Sequence, residues 1–470
     1  MQETVHALNT FIFLFVLIFG THAMRSWAFS RYEAVTFECS SAALTIAVLM
    51  MIRYGASRHL VMITLALFVS FIANAFSQWH FYMRLQEVIE KAFRSKSSCL
   101  RDDAQKHSID EKLRTMASVA VMPSFSRFIE ESKLFNNPGS FIGLIKSIMK
   151  RQRFQKKKYL MRECFAENVN LIGPCRPCIR LSVQPSGNEG ESSPRSLVPT
   201  AVHANDLALD YPDEKKGLFS FDVLGFGGFA LIWYAMSFMP AEVSAVTRPF
   251  PGRALLTAAA VVLTAVLTSL LRHLAFARYE SYSYELSFSA LVAAAFSVFT
   301  ELSEGSGGGM PGYVCFAVAA AAFLLSSFVN HSADRALHGH INDVFDSLIG
   351  RLSLETETQR AKRTFLSNLK TISEWTIVPF PDTGKLSRLS SVLMFTPSLK
   401  EFDRKNREKR NMPSLTEALV DEVVPEFAGE VTEADFRLKR GRIVSTGILM
   451  WVFGIASFIA SLIAAAPGIL

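Results

Sequence analysis

Apolar residues are gathered along this chain into long blocks, with the polar residues collected between them. Eight blocks stand out, at about 8–24, 35–53, 60–79, 219–240, 254–271, 285–301, 312–330 and 443–466. A helix rises about 1.5 Å per residue, so about 20 mainly apolar residues cross the roughly 30 Å of bilayer hydrocarbon. The pattern predicts an all-α, polytopic membrane protein with about eight transmembrane helices. Three lie within residues 1–79, a fourth at 219–240, three more within 254–330 and the last at 443–466. Two polar inserts, 80–218 and 331–442, separate these groups.

The inserts read as helical where they leave the membrane. Leu337, Ile341, Val344, Phe345, Leu348 and Leu352 follow a 3.6-residue period, as do Phe81, Leu85, Val88, Ile89 and Phe93. The third helix of each group is expected to run on as an amphipathic stalk, packing on the other stalk or on a second copy of the chain. Residues 184–200, rich in Ser, Pro, Gly and Glu, read as a disordered linker.

One segment occurs twice. Residues 25–44 read RSWAFSRYEAVTFECSSAAL and residues 272–291 read RHLAFARYESYSYELSFSAL, with 10 of 20 positions identical and no gap. Chance agreement between apolar segments would favour Leu and Ala, whereas these share Arg-Tyr-Glu and a further Glu. The pattern reads as duplication of a unit of four spans with an insert between its third and fourth. An even number of spans returns the chain to its starting side, so the two units have the same orientation and are related by an axis along the membrane normal.

Composition agrees. Half of the residues are hydrophobic, 19% are charged and mean hydropathy is +0.24, below the roughly 25% charge of an ordinary soluble domain. The net charge of +7 needs no nucleic acid, because cytoplasmic segments of membrane proteins are basic for topological reasons. With both termini outside, Arg25, Arg31, the basic run at 150–158, Arg272, Arg278 and the run at 400–410 all fall inside; Arg53, Arg58, Arg248 and Arg253 are exceptions. The first block lacks the basic lead and small-residue cleavage site of a signal peptide, so it is expected to be a true span. The six cysteines are scattered and show no disulfide framework.

Candidate chemistry begins with the duplicated motif: Arg31, Tyr32, Glu33 and Glu38, with Arg278, Tyr279, Glu280 and Glu285. Arg31 and Glu38 are two helical turns apart, and ionisable groups inside the hydrocarbon edge are costly. They are expected either to line an ion path or to pair between the repeats. A second candidate is the basic amphipathic segment 141–158, with Phe141, Ile145, Ile148 and Phe154 among Lys150, Arg151, Arg153 and Lys156. It suits the anionic inner leaflet or a calmodulin-like partner. Cys175 and Cys178, with Cys164 and His203, are a single C-x-x-C too sparse for a zinc site. His331, Asp334 and His338 share a helix face where a divalent metal would fit, and solvated stalk residues explain them equally.

Residues 361–369, AKRTFLSNL, resemble the dimerisation helix of sensor histidine kinases. Lys370, Thr371 and Ile372 follow where that family has its phosphoacceptor histidine, so the resemblance implies no activity here. Catalytic and nucleotide-binding motifs are absent from the sequence, and no cofactor is expected. Two functions remain: passage of an ion or small solute between the units, or a non-transporting sensor or scaffold that signals through the stalks.

Overall fold

A computed structural model describes residues 2–28, 35–97, 112, 221–238, 253–276, 282–303, 310–376, 381–382, 415–432, 438–439 and isolated positions between 452 and 460. The described chain is helical except for short turns and a two-residue parallel pairing of β1 (Pro381–Asp382) with β2 (Leu438–Lys439). The helices are α1 (Gln2–Ala28), α2 (Val35–Tyr54), α3 (Arg58–Ser97), α4 (Phe221–Phe238), α5 (Arg253–Phe276), α6 (Tyr282–Ser303), α7 (Met310–Arg351), α8 (Glu357–Thr376) and α9 (Leu415–Val423). A 3₁₀ turn, Pro425–Phe427, follows α9.

Six of these helices are long and apolar enough to cross a membrane: α1, α2, α3, α5, α6 and the first part of α7. The apolar part of α4, Leu224–Phe238, is shorter. These helices are apolar on their outward faces as well as in their core, unlike those of a water-soluble bundle. Large apolar side chains face outward, as with Leu8, Ile12 and Val16 on α1, Met62, Leu65 and Val69 on α3, and Leu255, Leu263 and Leu270 on α5. Buried among the apolar core residues are Ser40, Ser41, Thr45, Thr264, Thr268, Ser287 and Ser289. In water so much exposed apolar surface would be unfavourable; in lipid it is the expected arrangement, with small polar residues between the helices. The chain is thus a multi-pass membrane protein.

Helices α2 and α6 form the centre. Cys39, Ser40, Ser41, Ala42, Ala43 and Ala47 are buried on all faces of α2, and Ser287, Ser289, Ala290, Ala293 and Ala294 likewise on α6. Such small side chains let neighbouring backbones approach. Helix α2 packs against α1, α3, α4, α5 and α6, while α6 packs against α5 and α7 as well. Helix α4 comes close to α2 at Gly225, where an added Cβ would lie 2.2 Å from Thr36 Cβ. Between α2 and α3 the chain reverses at Gly55, whose φ of 87° suits a helix C-cap, and its N–H donates to Met51 O. Ser57 Oγ then accepts from Leu60 N and caps α3.

Helix α7, with 42 residues, is about 60 Å long, twice the hydrocarbon thickness. Its second half is amphipathic. Leu337, Ile341, Phe345, Leu348 and Leu352 are buried, and α7 packs on α8, where Phe365, Leu366 and Leu369 are buried too. Helix α8 in turn packs on α9. Arg351 stacks over Phe427 at 4.3 Å and pairs with Glu430 at 2.5 Å. The apolar stripe of this stalk packs on α8 of its own insert. Helix α3 also runs on past its span, to Ser97.

The expected eighth span, 443–466, lies outside the described helices, as do the linker 184–200 and most of the first insert. What stands is an all-helical multi-pass protein with six spanning helices among the described residues.

Candidate functional site

Four charged side chains meet at one end of the helix bundle. Arg25 is in the last turn of α1, and Glu38 is in the first turn of α2. Arg272 comes one turn before the end of α5, and Glu285 is in the first turn of α6. Each charge suits its place, because a helix C-terminus favours a cation and an N-terminus an anion. None of the four is more than 3% exposed.

They close into a ring. Arg25 Nη2 donates to Glu285 Oε1 at 2.6 Å, and Arg272 Nη2 donates to Glu38 Oε1 at 3.1 Å. The same two oxygens face the other guanidinium: Arg25 Nε is 3.5 Å from Glu38 Oε1, and Arg272 Nε is 3.1 Å from Glu285 Oε1. Two cations and two anions make the ring neutral, which is what allows it to be buried at all.

Aromatic rings complete it reciprocally. The Arg25 guanidinium lies over Tyr284 at 4.9 Å, and that of Arg272 over Phe37 at 4.5 Å. Each ring immediately precedes a glutamate of the quartet. Phe37 is backed by Phe71 at 5.0 Å and Tyr284 by Phe323 at 5.3 Å. Arg25 and Arg272, Phe37 and Tyr284, and Glu38 and Glu285 are the residues aligned when 25–44 is laid on 272–291, and they occupy matching places.

A polar layer extends from the quartet. Ser41 and Thr268 share a hydrogen bond of 2.8 Å between α2 and α5. Asn74 donates to Thr36 O at 3.1 Å and Ser40 Oγ at 3.0 Å, and Gln78 donates to Asn74 Oδ1 at 3.1 Å. These bonds fix the start of α2 against α3, and with it the Glu38 side chain.

Of the residues expected from sequence, Glu38 and Glu285 are brought together here. Arg31, Tyr32, Glu33, Arg278, Tyr279 and Glu280 lie outside the described residues, and so do the basic segment with Phe141, Ile145, Ile148, Lys150, Arg151, Arg153, Phe154 and Lys156, and the cysteines 164, 175 and 178. Arg25 and Arg272 hold the glutamates, whereas from sequence they count only as topological charges. The signal was present, since this arginine opens the duplicated segment. His331 and His338 are on α7, half-buried; the Asp334 side chain lies outside the described residues. Among the described residues no three His, Cys, Asp or Glu side chains converge as metal ligands.

No family model, curated protein or solved structure matches this chain.

Proposed function

We propose that the protein moves an ion or small solute across a membrane, between two four-span units, and that the quartet is its closed constriction. The observation that carries this reading is the burial of four ionisable groups from four spanning helices in one contact cluster. Intramembrane charges are expensive and mark pathways more often than they add stability. The duplicated segment and the matching places of its Arg, aromatic and Glu residues support a layout of eight spans in two units, with 443–466 as the last. The distribution of Lys and Arg supports termini outside and both inserts in the cytoplasm, where 141–158 lies on anionic lipid or meets a calmodulin-like partner.

Purified protein in liposomes tests the function. Under imposed potassium, sodium, chloride and proton gradients, and in a solute-swelling assay, native protein should carry flux that E38Q/E285Q changes severalfold. Absence of flux by native protein in every one of these conditions overturns the reading.

A second reading has its own observation. Helix α7 passes without interruption from the spanning bundle into the unit built with α8 and α9, so a tilt in the membrane is transmitted to the insert. A sensor or scaffold would use that lever without permeation. Partner or lipid binding to the inserts that persists unchanged in E38Q/E285Q, together with absent flux, favours it.

A further inference from the structure

Helix α4 rests in a seat made by α1, α2 and α3. A Cβ added at Gly228 would lie 3.6 Å from Leu67 Cδ2 and 3.9 Å from Ser40 Cα, and Ser70 Oγ donates to Leu224 O at 3.0 Å. The duplicated segment makes α5 and α6 the counterparts of α1 and α2, and α7 follows them as α3 follows the first two. Among the described residues, α5, α6 and α7 carry no such fourth helix. We propose that residues 443–466 fill this second seat as a membrane-spanning helix, lying on α6 and α7 as α4 lies on α2 and α3.

The second seat is located by matching side chains. Laying 25–44 on 272–291 puts Ser287 in the place of Ser40. Phe71 backs Phe37 as Phe323 backs Tyr284, so Ala319 and Ala322 stand where α3 has Leu67 and Ser70. The lipid faces keep the same register: Val61, Met62 and Phe76 are exposed, and so are their counterparts Tyr313, Val314 and Phe328. Ser287, Ala319 and Ala322 are buried, and α6 is buried without a break from Tyr284 to Phe296. Side chains this short are hidden where another helix comes close. Ala319 in place of Leu67 leaves room for a residue larger than the glycine that α4 brings.

The occupant follows from its attachment and its faces. Strand β2 pairs with β1 and packs on α7, and the block at 443–466 begins four residues after Lys439. At no more than about 3.6 Å per residue, it starts within about 15 Å of β2. Val452, Ala456 and Ile459 are exposed, an i, i+4, i+7 face that repeats the exposed Gly227, Leu231 and Tyr234 of α4. Gly454, Ser457 and Ser461 fall on the opposite face and are short enough for close packing. A second copy of the chain has no such tether. The inference rests on the eight-span reading, and not on transport.

Disulfide scanning tests the seat in full-length protein lacking its native cysteines, in vesicles. A319C is combined with one further cysteine at a time, from 450 to 461. A disulfide needs Cβ atoms about 4 Å apart, so bridges within one chain should form fastest on the face of Gly454, Ser457 and Ser461. They should form about tenfold faster than with V452C, A456C or I459C, and near the rate of L67C/G228C in the first seat. Equal rates on all faces, or bridges only between two chains, overturn the seat. Single cysteines T4C and I469C, probed with a membrane-impermeant reagent, should react from the same side, since an even number of spans separates them. Reaction from opposite sides overturns the eight-span reading and the seat with it. Same-side reaction without bridges leaves eight spans and overturns the seat alone, and bridges without flux refute transport alone.

Discussion

At the scale of single residues, the quartet shows how far sequence reading reaches and where it stops. Glu38 and Glu285 were legible, because a carboxylate that recurs in the first turn of two apolar helices needs a partner. Their arginines were harder to assign. The sequence offers Arg31 two turns from Glu38 and Arg25 thirteen residues away, and spacing along one helix favours the nearer. The structure pairs Glu38 with Arg25 of α1 and Arg272 of α5, a three-dimensional fact that no periodicity contains. The energetics follow from burial. Replacing Arg272 by Met leaves two carboxylates facing one guanidinium and should destabilise the protein by about 3–5 kcal/mol. Replacing all four residues by Met and Leu removes the imbalance and should cost far less, because apolar packing substitutes well for a buried ion cluster. Thermal unfolding in detergent measures both. An R272M protein as stable as native would show that the ring is not the tightly coupled cluster described here.

At the scale of elements, hydropathy located the described spanning helices to within a few residues, and the 3.6-residue stripe beyond two of them marked their continuation. The block at 312–330 became a helix from Met310 to Arg351, and the block at 60–79 one from Arg58 to Ser97. Apolar length reports only the part in lipid, and the polar remainder is seen only through its 3.6-residue stripe. Helix contacts were less legible still. Nothing in the sequence singled out Gly225 from Gly227, yet a Cβ at Gly225 meets Thr36 Cβ at 2.2 Å, Cα at 2.6 Å and O at 2.7 Å, while at Gly227 it meets nothing within 4 Å. G225A should therefore lose about 1–3 kcal/mol or more by overpacking, and T36A should not rescue it, since the clash includes backbone atoms. G227A should be neutral or slightly stabilising. Equal melting temperatures for the two alanine variants would contradict the packing of α4 on α2. The soluble elements have their own signature. Partial burial pushes the Glu426 carboxyl up from its usual 4.5, but hydrogen bonds from Lys362 and the backbone, and the Lys362 charge, bring it below that value. A carboxylate held low when folded adds stability that is present above its unfolded value and fades as pH falls through the folded one. The pair, with bonds of 2.7 and 2.8 Å, is partly exposed and contributes at most about 1 kcal/mol. The protection factors of amides in α9, which correct for the intrinsic slowing of exchange in acid, should fall as the pH drops through that range in native protein, and K362A should show less of this dependence.

At the scale of the whole molecule, the quartet fixes a relation that charge counting only suggested. Arg25 and Arg272 approach the C-terminal ends of α1 and α5, and Glu38 and Glu285 begin α2 and α6. All four side chains meet within ion-pair distance. The C-terminal ends of two helices and the N-terminal ends of the next two thus converge on one end of the bundle. Ser30 and Ala277, which follow those helix ends in sequence, are therefore predicted to be reached from the same side of the membrane, whatever that side is called. Single cysteines at Ser30 and Ala277, in otherwise cysteine-free protein in sealed vesicles, should react together with a membrane-impermeant reagent or together be protected from it. Disruption of the vesicles should change both in the same way. Reaction of one from outside and the other only after disruption would require a spanning helix to run against the direction described here. The ring of four charges would then be impossible, because no bilayer-crossing geometry brings residues from opposite faces to within 3.5 Å across about 30 Å of hydrocarbon.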